Sequence, residues 1–280
     1  MKHYTIQYSE PLGKGSSGTV YKGFLNHQPM IPVAVKKLPI SKRSLNEISI
    51  FKSLQNYASP QGTIPQLYHI GKTNNNYEII MEYISGGSLT KWIEKNNILS
   101  EKKILHILRD VVCTLYLCHQ KEILYGDLKP SNLIATQNIL NSCPIDYTLV
   151  KTIDFGMSKN HPPKFFTDPF GTPSFMAPEV YNKKFSYPAD IWALGICMYL
   201  LITGHYPFNL VNEGSNFIQK YHATVQLQEP KFNEPRWDLY SNDLQSLVRT
   251  MLNKNMFERP TAVDILNNSL LLPYEIIGFK

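Results

Sequence analysis

Tyr125-Gly126-Asp127-Leu128-Lys129-Pro130-Ser131-Asn132, with Asp154-Phe155-Gly156 beginning 22 residues beyond Asn132, decides how this chain is read. The first stretch puts an Asp, a Lys and an Asn within six residues, and the second adds an Asp on a tight turn. A carboxylate can orient a hydroxyl and an ammonium can follow an anionic group as it moves. An amide oxygen and a second carboxylate can ligate Mg²⁺. Phosphoryl transfer requires that set together. One Asp in a loop is usually a turn or cap residue, and a lone Asp-Phe-Gly carries little weight. Four such residues in this order make the turn reading remote.

Upstream, Gly13-Lys14-Gly15-Ser16-Ser17-Gly18-Thr19-Val20 has the spacing of a glycine-rich hairpin whose backbone approaches phosphates where a Cβ would collide. A plain glycine turn or a dinucleotide fingerprint would show similar glycines. The fingerprint needs a helix next, whereas Val20-Tyr21-Lys22-Gly23-Phe24 continues as strand. Val33-Ala34-Val35-Lys36 then places a Lys 16 residues after Val20. A Lys at a strand end is commonly a solvated terminus, but the alternation sets Lys36 on the same face as Ala34.

The chain has 280 residues, enough for one large domain or two lobes. At 43% hydrophobic and 18% charged, its composition is that of a soluble globular protein. A net charge of +6 suits anionic partners or simply a Lys-rich surface, and no basic run interleaved with aromatics predicts nucleic-acid binding. Cys113, Cys118, Cys143 and Cys197 show no metal-binding spacing, and Cys113 and Cys118, in and just past the apolar run Ile104–Leu117, read as buried free thiols, which suits a cytoplasmic or nuclear setting. Met1-Lys2-His3-Tyr4 opens no signal peptide. The longest apolar segment, Ile191–Ile202, has 12 residues where about 20 are needed to span a bilayer, so it reads as a buried helix. Strands are expected at Tyr4–Leu12, Thr19–Phe24, Ile31–Leu38, Leu67–Ile70 and Tyr77–Tyr83, and one early helix at Ser44–Leu54, with Leu45, Ile48, Phe51 and Leu54 as its apolar stripe. After Gly86-Gly87 helices dominate: Leu89–Lys95, Glu101–Gln120, Ala189–Thr203, Gly214–Ala223, Asn242–Leu252 and Thr261–Leu266.

Taken in this order, and with Gly171-Thr172-Pro173-Ser174-Phe175-Met176-Ala177-Pro178-Glu179 and Asp190-Ile191-Trp192-Ala193-Leu194-Gly195 downstream, the motifs resemble the catalytic domain of eukaryotic-type serine/threonine protein kinases. The resemblance covers about residues 6–266 and leans weakly toward calcium/calmodulin-dependent-kinase-like members. It implies an α+β, bilobal protein kinase fold with a small β-rich N-lobe carrying one helix (residues 1–84, hinge included) and a larger helical C-lobe (residues 85–280). It implies ATP and Mg²⁺ as cofactors and a Ser/Thr-bearing protein as substrate, acted on by a monomer without membrane insertion or nucleic acid. The alternative is a pseudokinase serving as a binding scaffold.

Residue by residue, the resemblance makes Asp127 the group that orients the hydroxyl and Lys129 the cation for the moving phosphoryl group. It assigns Lys36 to the phosphates, paired with Glu47, the one acidic residue between Lys36 and Glu78. The 11-residue separation implies a helix with a truncated start, with Phe51 stacking toward Phe155. Asn132 and Asp154 would hold Mg²⁺. The nucleotide would meet Leu12, Gly13, Lys14, Gly15, Ser16, Ser17, Gly18, Thr19 and Val20, then Ala34, Lys36, the hinge residues Met81, Glu82 and Ile84, and Ile134. Ser17 stands where an aromatic is frequent, which implies looser cover of the phosphates. Gly126 stands where many kinases carry an Arg that reads a phosphate on the activation segment. Asp168 would then be either a fixed carboxylate pairing with Lys159 or a solvated loop residue. Asp190 would brace the catalytic loop, and Arg259 would pair with Glu179. Ser88, Ser131 and Leu200 replace the acidic residues of basophilic kinases, and Met157 resembles kinases that prefer Ser as acceptor.

Overall fold

Alternating apolar residues, broken by glycine turns, build a five-stranded antiparallel sheet at the start of the chain. Its strands are β1 (Tyr4–Gly15), β2 (Gly18–Leu25), β3 (Gln28–Pro39), β4 (Leu67–Lys72) and β5 (Asn76–Glu82), in the order β1-β2-β3-β5-β4. The computed structural model describes residues 4–15, 17–26, 28–55, 62–136, 147–160, 165–208 and 217–274. Register fixes what each face carries. Val20 lies opposite Lys36, Lys36 opposite Ile79, and Ala34 opposite Met81, so these side chains share one face. The other face buries Tyr4, Val33, Val35 and Ile80 in a small core of its own.

Helix α1 (Lys42–Gln55) follows β3 after two residues. Ser41 caps it: the Ser44 N–H donates to Ser41 Oγ at 3.1 Å, and Ser44 Oγ donates to the Pro39 carbonyl at 2.6 Å. Ile48, Phe51 and Leu54 are buried as expected, but Leu45 is 50% exposed and Glu47 and Ile50 are buried in its place. At 100° per residue Leu45 falls nearly opposite Leu54, so the inward face centres on Glu47, Ile50, Phe51 and Leu54. This turn of the helix brings a charged residue inside, opposite Lys36.

Beyond the connector at residues 83–88 lie α2 (Leu89–Glu94) and α3 (Glu101–Gln120). Four short strands follow, β6 (Ile123–Leu124), β7 (Leu133–Ala135), β8 (Val150–Thr152) and β9 (Lys159–Asn160), with β6 paired to β9 and β7 to β8. These pairings fold the catalytic-loop and Asp154 stretches back on each other. The rest is helical: α4 (Pro178–Tyr181), α5 (Pro188–Thr203), α6 (Phe217–Leu227), α7 (Asn242–Met251) and α8 (Ala262–Leu266). The expected start of α6 at Gly214, and Cys143, lie outside the described residues. Helix α5 is apolar all round and buried from Asp190 to Thr203, as a helix through the centre of a core must be. It ends at Gly204, whose φ of 83° closes the helix in the left-handed conformation. Among the described residues, no helix is long and apolar enough to cross a membrane.

Candidate active site

Asp190, at the start of α5, fixes the catalytic loop. Its buried carboxylate accepts the Tyr125 N–H at 2.9 Å and the Gly126 N–H at 2.8 Å, and His119 Nε2 lies 3.0 Å away. Tyr125 donates its hydroxyl to the Ile153 carbonyl at 2.6 Å, and its ring meets Phe155 edge-on at 5.5 Å. Held from behind in this way, the loop turns at Gly126 (φ 79°) and presents Asp127. Asp127 Oδ2 accepts from Lys129 Nζ at 2.7 Å, and Oδ1 accepts from Thr172 Oγ1 at 2.6 Å. Lys129 also donates to Thr172 Oγ1 at 2.8 Å, closing a triangle. Sequence reasoning used Thr172 only as a mark of class. Its place in the triangle was not among the expected site residues, although the Gly171-Thr172-Pro173 motif held the signal.

Asn132 Nδ2 donates to the Asp127 carbonyl at 2.9 Å, which turns its Oδ1 away from the loop. Asp154 takes a left-handed φ of 64°, and its Oδ1 gathers three donors: Lys36 Nζ at 2.7 Å, the Gly156 N–H at 3.1 Å and Ser17 Oγ at 3.4 Å. Burial pushes the Asp154 carboxyl up, but the Lys36 charge and these hydrogen bonds outweigh it and hold it below its ordinary value. Lys36 pairs with Glu47 Oε1 at 2.5 Å, and both are buried. Burial pushes the Lys36 ammonium down, but Asp154 and Glu47 together outweigh it and hold it above its ordinary value. The short spacing therefore leaves the ion pair intact. Phe51 stacks on Phe155 at 5.8 Å, as expected from its position one turn beyond Glu47.

The sheet face above this line carries Val20, Ala34 and Met81, and Ile134 of β7 is bridged to Ser88 on the other side. Leu12, Gly13, Lys14, Gly15, Gly18 and Thr19 belong to the β1–β2 hairpin, where Lys14 pairs with Thr19 and Gly15 with Gly18. Ser16 lies outside the described residues. Ser17 lies against the Asp154 turn. It is buried, and it packs so closely that a Cβ on Gly156 would lie 2.7 Å from the Ser17 Cβ. A small residue at the hairpin tip lets it descend onto the Asp154 turn, where an aromatic could not fit. At the end of β5, the Glu82 N–H donates to the Gln66 carbonyl at 2.9 Å, and the Glu82 carboxylate pairs with Lys151 at 2.6 Å. No described residue accepts from the Ile84 N–H.

The activation segment decides between the two readings of Asp168 in favour of the solvated loop residue. Asp168 is exposed and forms no ion pair with Lys159; instead Lys159 Nζ sits 5.3 Å over the ring of Phe170. Phe170 joins Phe166 and Phe185 in an aromatic cluster with centroids 5.5–5.7 Å apart. Its ring lies on Gly126, where a Cβ would stand 2.3 Å from Cε2. Further on, Arg259 reaches Glu179 with two nitrogens at 2.5 and 2.7 Å, the buried pair expected.

The family model of the protein kinase domain matches residues 6–271. The chain belongs to the protein kinase domain family. This kinase domain is 28% identical over 265 residues to CDPK-related kinase 5 of Arabidopsis thaliana, covering 89% of the chain and 42% of the relative. It is 32% identical to Calcium-dependent protein kinase 5 of Plasmodium falciparum, covering 92% and 43%. Against Serine/threonine-protein kinase ATG1a of Arabidopsis thaliana it is 29% identical, covering 93% and 40%. The chain thus spans less than half the length of these relatives, and the weak lean toward calcium/calmodulin-dependent-kinase-like members is matched by the first two. The crystal structure of Rad53 residues 1–466 in complex with AMP-PNP shares the fold at a TM-score of 0.76 and 25% identity, covering 97% of this chain and 66% of that one.

The kinase domain's donor set also suits a hard cation. Asp154 Oδ2 and Asn132 Oδ1 take no hydrogen bond among the described residues, and no cluster of three or more His, Cys, Asp or Glu exists there to cage a metal. Mg²⁺ asks for one or two protein oxygens and fills the rest of its shell with water and phosphate.

Proposed function

We propose that this kinase domain transfers the γ-phosphoryl group of ATP, with Mg²⁺, to Ser or Thr hydroxyls of protein substrates. The closed triangle of Asp127, Lys129 and Thr172 carries the reading. It leaves one carboxylate fixed by Lys129 and Thr172, with Asn132 Nδ2 a longer third donor at 3.4 Å, beside a cation. Asp127 orients the substrate hydroxyl and accepts its proton. Lys129 neutralises charge as the phosphoryl group crosses, and Thr172 holds both in register. Lys36, charged and fixed by Glu47 and Asp154, positions the α- and β-phosphates. Asp154 Oδ2 and Asn132 Oδ1 would hold Mg²⁺, which supplies charge neutralisation on the phosphates when bound. Val20, Ala34 and Ile134 would sandwich the adenine against the backbone of Glu82 and Ile84, with Met81 behind. The glycine-rich hairpin must lift Ser17 from Asp154 to admit phosphates. The likeness to a structure crystallised with AMP-PNP supports a nucleotide in this cleft.

Substrate preference follows from what the peptide side lacks. Ser88 and Ser131 offer no carboxylate to a guanidinium, and Leu200, the third such position, is buried in α5, so Arg upstream of the phosphosite gains little. Radiolabelled ATP with a positional-scanning peptide library tests both statements at once. Incorporation into Ser-centred peptides without Arg selection is expected. No incorporation above the Asp127→Asn background would return the chain to the scaffold reading.

A further inference from the structure

Only two residues separate β3 from α1, so Glu47 sits in the second turn of a helix with a short lead-in. Its alignment with Lys36 needs support from outside the helix, and the structure supplies it from the residues just past Asp154-Phe155. Arg43, one turn before Glu47 on the same face, donates its Nε–H to the Gly156 carbonyl at 2.9 Å, with Nη2 2.8 Å from Met157 Sδ. Asn46 donates Nδ2–H to the Ser158 carbonyl at 3.0 Å, and its Oδ1 accepts from Asn160 Nδ2 at 3.4 Å. Ser158 is buried and donates its hydroxyl to the Tyr125 carbonyl at 2.8 Å. Tyr125 and Gly126 in turn donate their N–H groups to Asp190. A hydrogen-bonded line therefore runs from α1 through residues 156–158 to the catalytic loop and on to α5.

We infer that Arg43 and Asn46 are positioning residues, a clamp within the chain that keeps Glu47 on Lys36 and ties that pair to the loop bearing Asp127. Helix alignment then needs neither a phosphate nor a partner protein. The clamp borders a cavity of about 490 Å³ also lined by Lys42, Lys159 and Phe170, so its bonds lie beside open space rather than inside the core. Loosening them frees the first turns of α1 while Phe51, Leu54 and the sheet stay packed. One hydrogen bond shifts an equilibrium by roughly fivefold, so losing one should cost about fivefold and losing two roughly 25-fold in the aligned population.

The kinetic half of the test rests on the proposed kinase activity; the structural half does not. Wild type is compared with Asn46→Asp and with the double variant Arg43→Ala/Asn46→Ala in the full chain. Asp is isosteric with Asn but turns a carboxylate oxygen on the Ser158 carbonyl, so it breaks the bond without opening a void. Amide hydrogen exchange of residues 42–55, referenced to α3, reads the clamp directly, and single-turnover rate and the KM for ATP read its consequence. Exchange in α1 should rise about fivefold in Asn46→Asp and roughly 25-fold in the double variant with α3 unchanged, the rate should fall in the same proportion, and KM should stay within about threefold. Wild-type exchange in both variants overturns the clamp, as does faster exchange with an unchanged rate. If the wild type transfers no phosphoryl group, the proposed function fails and the exchange data alone judge the clamp. If the double variant does not fold, Asn46→Asp decides.

Discussion

Two regions meet at Asp127 and are held by different physics. On the nucleotide side, the buried pair of Glu47 and Lys36 and the half-buried Asp154 form a line of charges in which the two carboxylates outweigh the desolvation of Lys36, while burial still holds the Glu47 carboxyl above its ordinary value. On the activation-segment side, Phe166, Phe170 and Phe185 form an aromatic cluster seated on the bare backbone of Gly126. The charged side tolerates no unpaired member, because removing one strands the others. The aromatic side loses its contacts by degrees. Chemistry should therefore fail sharply when the first region is cut and gradually when the second is.

The largest effects belong to the charged region and to Asp127. Lys36→Met leaves Glu47 buried without its cation and should lower kcat by ~10²-fold or more. Asp127→Asn keeps the shape of the triangle but cannot accept a proton, and a loss of similar size is expected. Steady-state phosphotransfer, with circular dichroism to establish the fold, checks both. Near wild-type turnover in Asp127→Asn would sink the enzyme reading.

Thr172 joins the two regions and should fall between them. Thr172→Ala removes the hydroxyl shared by Asp127 and Lys129, leaving Oδ1 of Asp127 without its donor, and about a tenfold loss in kcat is expected. Thr172→Ser keeps the hydroxyl and should restore most of the rate. Equal losses in the two variants would show that the methyl group, not the hydrogen bonds, matters.

The nucleotide side was largely legible in the sequence, because short-range motifs fix its backbone: Asp127, Asn132, Asp154 and Lys36 stand where spacing put them. Glu47 was legible by being the one acid available. Less was legible where a position depends on distant partners. Leu45 fitted a helical stripe, yet the stripe rotates to bring Glu47 under Lys36. Asp168 and Lys159 looked complementary as charges, but Lys159 lies over an aromatic ring instead, and Phe170 gave no sign that it would cover a glycine 44 residues earlier. Clamp residues Arg43 and Asn46 make contacts 112–114 positions away in the chain, beyond the reach of any local pattern.

Phe170→Ala sharpens the contrast from the aromatic side. It removes two ring contacts and the cover on Gly126, at a cost of roughly 2 kcal/mol for a half-buried ring. Thermal unfolding should register that loss, and kcat/KM for peptide should fall by about five- to tenfold while the KM for ATP holds. A fall as large as that of Lys36→Met would erase the distinction between the regions.

The smallest effect is expected from dephosphorylation. In kinases that wait for an activation-segment phosphate, a guanidinium beside the catalytic Asp gives the phosphate its bidentate partner. Here that position is Gly126, its backbone is covered by Phe170, and the nearby Lys159 is engaged with the same ring. Thr167 is exposed and accessible to a kinase, but a phosphate there finds no fork-shaped cation at residue 126 to order the segment. The aromatic cluster already supplies that order. Phosphatase-treated enzyme should thus keep its rate within about twofold, and Thr167→Ala should behave the same. A large loss on treatment, reversed by rephosphorylation at Thr167, would mean that the cluster does not hold the segment alone. It would also predict that Phe170→Ala and dephosphorylation are not additive, since both would act on one ordering step.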